Sequence, residues 1–531
     1  MMKRLQLFLL ACFALTLSAN AQVRYLDPVF TDVTVQSNEK YGENIQVLTG
    51  APVKVDLRMD VYTPTGDTET LRPVVLLFHT GNFLPAIING GPFGSKTDSA
   101  VVEMCNQFAQ RGYVAMGVGY RLGWNPVSSD DNVRRSTILQ AAYRGIHDCR
   151  AAIRYLKKSV AEDGNPYGID TSMIVVGGMG TGGYISLGAA FLSDYSEVAT
   201  LAKFINLSNS QPYVIPQVHG NIDGTNNTFI PIDTMGTMAP FNIANYPTYS
   251  SSFSMAFHLG GALGDSSWVN DGEMPVVSIH APTDPFAPFA LGNVIVPTTG
   301  EIVIGNAAGG GLVQKRQNAF GNNDIWEQQG FNDPVTLSSN SDMEGLYAFN
   351  PLPAKDDTAC YPFPGFPATQ GLPDAGPWNW YNEATFIATW DIVNPSPPFT
   401  GAMQNCSSLQ GSDNDPVRSR LFIDTAMQYL APRIMWATGI LPVTNIEDLI
   451  LGRSLSVFPN PARDMIRIET ADLAHPIQQV SIMDLAGRTV SKESNILSDK
   501  VTISVSHLPA GIYLLEVAAT KGRHTQKIVV E

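Results

Sequence analysis

The fold is decided by the stretch VVGGMGTGG, which spans residues 175–183. Its first residues are the end of a mostly apolar run, SMIVVG (172–177), which is typical of a strand buried on both faces. Glycines then crowd the following turn, and a helix is predicted from about Gly182. Glycine adopts backbone conformations that other residues reach only with strain. The stretch therefore predicts a buried strand that turns sharply into a helix.

Strand-like and helical patterns alternate on both sides of this turn. The segments PVVLLF (73–78), YVAMGVGY (113–120) and MPVVSIHA (274–281) read as further buried strands. Helices are predicted over 98–111 and about 132–160, where apolar residues recur with the helical period. This alternation indicates an α/β fold whose parallel sheet is covered by helices.

Composition and charge narrow the class of partner. The chain has 531 residues, 44% of them hydrophobic and 15% charged, with a formal net charge of −15. Nucleic acids and anionic membrane surfaces select for basic patches, so neither is expected as a partner. We expect an ordinary globular protein with two or three domains.

The first residues have the pattern of a secretory signal peptide. Lys3 and Arg4 precede an apolar run over 5–17, and Ala19-Asn20-Ala21 has the small-x-small pattern of a cleavage site. We therefore predict a signal peptide over 1–21. No later run reaches 18 apolar residues, so no membrane span is expected.

The remaining chain divides into two predicted domains. Residues 22–450 form the α/β domain, with two insertions at about 201–250 and 296–416. Residues 453–531 read as short alternating strands separated by turns, which predicts a small all-β sandwich.

The α/β domain resembles the α/β-hydrolase superfamily, esterase and lipase branch. Several segments carry this resemblance in the expected order, and the glycine-rich turn falls between the last two: DVYTP (60–64), PVVLLFHTGNF (73–83), RGYVAMGVGYRLG (111–123), IHDCRAAIRYL (146–156) and PVVSIHAPTDPFAPF (275–289). The resemblance implies a doubly wound, mostly parallel sheet and a serine–acid–histidine triad.

The position of the catalytic serine is occupied by glycine. In this family the nucleophile is the central residue of G-x-S-x-G, at the turn between a strand and a helix. The matching residues are Gly178 to Gly182, so that Gly180 stands at the serine position between Met179 and Thr181. A glycine has no side-chain oxygen with which to form an acyl-enzyme. Thr181 is the nearest hydroxyl; capping the helix is its favoured role, and nucleophilic attack is the alternative.

The histidine of the triad is also missing. In this family it follows the acid, for which Asp284 is the match. No histidine occurs between 281 and 474. Asp284 is either a vestigial acid or a polar loop residue that accepts turn hydrogen bonds. His258 and His280 lie near strand ends, where core packing is favoured over a replacement dyad or a metal site. No metal or cofactor is predicted.

The loop that would hold the oxyanion departs from the family pattern. His79, Thr80, Gly81 and Asn82 stand where the family has His-Gly-Gly-Gly, whose glycines let backbone amides approach a developing oxyanion. Asn82 still carries an amide that can donate, so the function of this loop stays open.

Aromatic residues and cysteines mark the second insertion. Trp378, Trp380 and Trp390 form either a stacking platform for sugars or aromatic esters, or a packed contact with the sheet. The strand order of the family places Cys105 and Cys149 on opposite faces of the sheet, so both are expected as buried free thiols. Cys360 and Cys406 are then the expected disulfide.

The end of the chain resembles the sorting domain of the type IX secretion system of Bacteroidota. The motifs that carry it are VFPNPARD (457–464), MDLAGR (483–488) and LPAGIYLLEV (508–517). The resemblance implies that the type IX machinery is a partner. It also implies passage through the periplasm and across the outer membrane, followed by release or attachment to the cell surface.

Three functions are compatible with these residues. The first is a catalytically inactive binding protein on an esterase-like scaffold, with an ester or a glycan as ligand. The second is an active esterase that uses a non-standard nucleophile, and the third is a structural surface protein. Turnover separates the first two. An open or a filled cleft above Gly180 separates the first from the third.

Overall fold

The computed structural model divides into two compact units, Met1–Ile440 and Leu441–Glu531. It describes residues 23–440 and 455–530, apart from 49, 87, 90, 297–299, 328, 330, 332, 351–374, 383, 387, 390–413, 471–475, 484–488 and 520–522. The predicted signal peptide, Trp390, Cys360 and Cys406 lie outside the described residues and stay predictions.

The first unit is built on an eight-stranded sheet. Its strands are β1 (Val33–Val47), β2 (Pro52–Pro64), β3 (Arg72–Phe78), β4 (Val114–Val118), β5 (Ile169–Met179), β6 (Met255–Leu259), β7 (Val276–His280) and β8 (Leu346–Ala348). The spatial order is β1-β2-β4-β3-β5-β6-β7-β8. β2 pairs antiparallel with β1 and β4, and the strands from β4 to β8 are parallel.

Five longer helices accompany the sheet: α1 (Ser99–Gln110), α2 (Asp131–Glu162), α3 (Thr181–Phe191), α4 (Gly310–Ala319) and α5 (Pro416–Ala437). Capping fixes where two of them begin. The Asp130 carboxylate accepts from the amide of Asn132 at the start of α2, and that of Asp415 accepts from Val417 and Arg418 at the start of α5. Together these elements confirm the predicted α/β class.

Smaller elements fill the segments between them. A three-stranded antiparallel sheet joins Ala262–Leu263, Leu291–Ile295 and Ile302–Gly309, and two short strand pairs join Ile205–Asn206 to Gln211–Pro212 and Thr228–Pro231 to Met238–Asn242. Single turns of helix lie at Tyr195–Val198, Ala202–Phe204, Pro216–His219, Ser266–Trp268, Asp324–Glu327 and Pro334–Leu337. The predicted insertion at 296–416 also supplies β8, a strand of the main sheet.

The two faces of the sheet bury separate cores. Val74, Leu76 and Phe78 of β3 pack in one cluster, and the alternate residues Val75 and Leu77 pack in the other. This alternation is what a strand buried on both faces requires. Helices α2 and α3 cover the first face, and α1 and α5 cover the second.

Cys105 and Cys149 are free and buried, one in each core, as predicted. Burial raises the pKa of the Cys149 thiol to about 12, and it also raises the pKa of Cys105. The thiolate is the reactive form of cysteine, so both side chains are inert in the folded protein.

We expect alkylation of these two cysteines to be at least about 100-fold slower in native protein than in urea, because raised pKa values and burial both suppress the thiolate. Iodoacetamide labelling followed by peptide mass spectrometry measures both rates. Equal labelling of Cys105 in native and denatured protein would contradict its placement between α1 and the sheet.

The second unit is all β. Leu455–Phe458, Met465–Thr470 and Lys500–Ser504 form one sheet, and Ile477–Met483, Thr489–Ser498, Gly511–Ala519 and Arg523–Val530 form the other. Ile466 and Ile468 of the first sheet share a core with Val480, Leu515 and Ile528 of the second. The two sheets therefore pack face to face as the predicted sandwich.

None of the helices in the described part of the chain combines the length and the apolar character needed to cross a membrane.

Candidate functional site

The turn between β5 and α3 keeps the shape of a nucleophile elbow. Gly180 has φ 51° and ψ −115°, a conformation that costs a residue with a side chain about 1–3 kcal/mol and that glycine adopts freely. Its amide donates to the carbonyl of Leu259 at 2.8 Å, which ties the turn to β6. The sharp turn predicted from the glycines is therefore present, without a side chain at its tip.

Thr80 occupies the space beside this tip. A Cβ built on Gly180 would lie 2.2 Å from Thr80 Oγ1 and 3.1 Å from Thr80 Cβ. Real Cβ contacts are longer than 3.0 Å, so a serine at 180 fits only if Thr80 moves. The two departures from the family pattern, glycine at the elbow and threonine in the oxyanion loop, are thus in direct contact.

Thr181, the hydroxyl next to Gly180 in the sequence, has no base beside it among the described residues. Its Oγ1 lies 3.2 Å from the Tyr120 hydroxyl, which donates to the carbonyl of His79 at 3.0 Å. Burial raises the pKa of Tyr120, so this phenol stays protonated and cannot take the threonine proton. Among the described residues the Thr181 hydroxyl bonds Tyr120 and no amide of α3. Capping was the favoured interpretation of Thr181, and the contact with Tyr120 takes its place.

The oxyanion loop is held by buried contacts. His79 stacks on Tyr120 with ring centroids 4.3 Å apart, and burial lowers its pKa to about 4, so the ring is neutral. The Asn89 amide donates to the carbonyls of Gly81 and Phe93, and Trp124 Nε1 donates to the carbonyl of Asn82 at 2.6 Å. The loop is therefore a fixed wall of the site.

Asp284 follows β7 and is nearly buried, with its side chain 5% exposed. Its Oδ1 accepts from the amides of Phe286 and Ala287 at 2.8 and 2.9 Å. Its Oδ2 lies 3.3 Å from Nε2 of His280, the last residue of β7. These are the turn hydrogen bonds that one of the two interpretations of Asp284 expects.

His258 and His280 are both fully buried. His258 Nδ1 accepts from the amide of Gly261, and its Nε2 bonds Ser278 Oγ at 2.7 Å. His280 Nδ1 accepts from the amide of Gly310 at 3.2 Å. Both rings hydrogen-bond neighbouring strands and loops, as buried core histidines do. Neither ring lines the cavity described next.

A cavity of about 200 Å³ opens above the elbow. Thr80, Gly81, Asn82, Gly180 and Thr181 line its base. Its far wall is apolar and includes residues of both predicted insertions, Phe204 and Val303, together with Leu192, Val198, Leu263 and Trp268. Within the described part of the chain, no serine, cysteine or histidine lines it. The site can therefore enclose an apolar group but offers no serine or cysteine nucleophile.

The structure brings together only some of the residues selected from the sequence. Asp284 and Trp378 line the cavity, whereas Met179 and His79 are buried behind it. Trp378 is 3% exposed and Trp380 is 7% exposed, the latter under the guanidinium of Arg420. Neither ring forms an exposed platform, and both pack in the core with α5.

Sequence reasoning missed Tyr184 and Gly260. Tyr184 lies on α3 one turn after Thr181 and lines the cavity, and its hydroxyl is buried with no hydrogen-bond partner among the described residues. Burial, and then the negative charge of Asp284, raise its pKa, so it stays a phenol. Its position three residues after Thr181 on a predicted helix was the available signal. Gly260 gave no such signal.

The strand order, the crossover helices and the elbow together define an α/β-hydrolase fold of the esterase type. Residues 59–226 match the model of the BD-FAE family, which is esterase-like, and residues 456–531 match the secretion system C-terminal sorting domain. The chain thus has an esterase-like α/β-hydrolase fold and carries a type IX sorting domain. That domain directs export to the cell surface or the medium. A search of curated proteins finds no match.

Solved structures similar to the chain include esterase 2 of Thermogutta terrifontis. Its form phosphorylated by paraoxon is 18% identical, with a TM-score of 0.28, over 50% of this chain and 77% of the esterase. The propionate-bound form is 19% identical, with a TM-score of 0.26, over 49% and 75%. At these values the likeness carries no conclusion about the chemistry of this protein.

Proposed function

We propose that this protein is a secreted or surface-displayed binding protein, which encloses a small ligand above Gly180 and does not hydrolyse it. The observation that carries the proposal is the contact between Thr80 and the tip of the elbow. Thr80 Oγ1 stands 2.2 Å from the point where the Cβ of a catalytic serine would be. The chain therefore lacks the serine, and a serine at this position would fit only after Thr80 moved.

The remaining polar groups support the same conclusion. Asp284 has no imidazole facing it from the cavity, since His280 contacts it from within the core. Thr181 has a protonated phenol for a neighbour instead of a base. Triad members act as a unit, so an isolated acid contributes little to turnover.

The presence of a cavity supports binding over a purely structural function. A scaffold that only displays a surface has no need of an enclosed space, and protein interiors are otherwise closely packed. Apolar walls with a few polar groups at one end are typical of small-molecule sites.

We expect the purified full chain to hydrolyse p-nitrophenyl acetate and butyrate, and a panel of polysaccharide esters, no faster than buffer. Loss of the serine and the histidine together removes about 10⁴-fold or more of the rate of a triad esterase. Release of p-nitrophenol, assayed beside an active serine esterase, measures this. Turnover that disappears in Thr181→Ala or Asp284→Ala would instead establish an esterase with a non-standard nucleophile.

A further inference from the structure

We infer that the ligand is an organic cation, with an ammonium group at Asp284 and an apolar body along the far wall of the cavity. This inference rests on the proposed binding function and names the chemical class of the ligand. It follows from the charge of the lining, from the tryptophan ring near the carboxylate and from the apolar far wall.

Asp284 is the one side chain with a full charge among the described residues that line the cavity. No lysine, arginine or histidine of the described lining faces it. Nδ1 of His280 accepts a hydrogen bond from Gly310, which leaves the proton on Nε2 and the ring neutral. Nε2 lies 3.1 Å from the carbonyl of Ala287 and 3.3 Å from Asp284 Oδ2, so the carboxylate receives only part of one donor there. No cation among the described residues of the lining therefore balances its negative charge.

The ring of Trp378 faces the same point as this carboxylate oxygen. A Cβ built on Gly260 would lie 3.4 Å from Asp284 Oδ2 and 3.5 Å from Cζ2 of Trp378, so both groups face one point at the edge of the cavity. Phe286, whose amide donates to Asp284, and Tyr184, whose pKa is raised by burial and then by the charge of Asp284, also line the cavity. A cation beside the face of an aromatic ring is attracted by the ring quadrupole, most strongly for tryptophan. A carboxylate and a tryptophan ring that face the same point thus suit an ammonium group.

Other ligand classes fit less well. A carboxylate or phosphate ligand would meet the charge of Asp284 with no lysine or arginine of the described lining to balance it. A sugar would bury many hydroxyls against apolar walls, and each hydroxyl left without a hydrogen-bond partner weakens binding. The net charge of −15 on the chain also raises the local concentration of cations and lowers that of anions.

The test compares three probes that share one apolar tail: 4-phenylbutyl-trimethylammonium, 4-phenylbutan-1-ol and 4-phenylbutyrate. Titration calorimetry on the purified full chain gives the three affinities. We expect the cation to bind about 10-fold or more tightly than the alcohol, and the carboxylate to bind least. The ranking needs no variant, so it stands even where a substitution harms folding.

Two variants and one control locate the effect. Asp284→Asn keeps an oxygen for the amides of Phe286 and Ala287 and removes the charge. We therefore expect it to lower the affinity for the cation about 10-fold and to leave the affinity for the alcohol unchanged. Trp378→Leu should lower the affinity for the cation more than the affinity for the alcohol. Asp233→Asn removes the same charge from an exposed hairpin turn, and its affinities should equal those of the unmodified protein.

The outcomes separate this inference from the proposed function. If the alcohol binds as tightly as the cation and Asp284→Asn changes neither, the cavity is a binding site but the cationic ligand is wrong. If none of the three probes binds, both the inference and the proposed function fail. If the cation binds but Asp284→Asn retains full affinity, the carboxylate is not its site and the inference is overturned.

Discussion

Replacing Gly182 by alanine should prevent the first unit from reaching its native fold, with a loss of about 4 kcal/mol or more in the free energy of unfolding. A Cβ at this position would lie 2.1 Å from the carbonyl oxygen of Phe78 and 2.9 Å from that of His79. Both are backbone atoms at the end of β3, so no side-chain rotation relieves the contact. The start of α3 would have to move away from the sheet.

Urea unfolding followed by circular dichroism measures this effect, and the soluble yield gives an independent reading. Gly305→Ala is the matched control, because the nearest atom to its added Cβ is Asn293 Oδ1 at 3.6 Å and its backbone is ordinary. We expect the control to change stability by less than about 1 kcal/mol. Equal unfolding midpoints for the two variants would show that α3 does not approach the end of β3 as closely as the structure has it.

Restoring serine at the elbow should lower the free energy of unfolding by about 3 kcal/mol when Thr80 is present. One part of the cost is the conformation of Gly180, with φ 51°, which disfavours a side chain. The other part is the 2.2 Å approach of the new Cβ to Thr80 Oγ1. Replacing Thr80 by glycine removes the second part only, so the effects of Gly180→Ser and Thr80→Gly should not add.

A double-mutant cycle measures this coupling. We expect Gly180→Ser to cost about 1–2 kcal/mol less in the Thr80→Gly background than in the unmodified chain. Thr80→Gly alone is the reference for the loss of the threonine itself. Additive costs within about 0.5 kcal/mol would show that the two side chains do not compete for the same space.

The part of the fold that carries the elbow could be predicted because its signals are local. The apolar runs that became β3 and β5 are continuous, and the glycines between β5 and α3 specify a tight turn. The strand β8 could not be predicted, because three residues in a polar region show no period. Helix α4 could not be predicted for a similar reason. Its buried face includes Gln314, which donates to the carbonyl of Val276 and to Ser278, so apolar periodicity does not mark it.

The candidate site was predictable by residue type and not by contact. The loss of serine and histidine could be read position by position from the family motif. The contact between Thr80 and Gly180 joins two loops that are 100 residues apart, and only the pairing of β3 with β5 brings them together. The density of aromatics at 361–390 left two alternatives for Trp378, and only the fold places it at 3% exposure beside Asp284.

The contact between Thr80 and the elbow also restricts the order in which substitutions could convert this site into an enzyme, or an enzyme into this site. If Gly180 changes to serine first, the new side chain clashes with the threonine and the full loss of stability applies. If residue 80 is shortened first, the later change to serine costs less stability. In the other direction, the threonine is accommodated only once the serine has become glycine. Both directions therefore pass most easily through the same intermediate, with glycine at 180 and a shortened residue at 80, and the combination of serine with threonine is disfavoured.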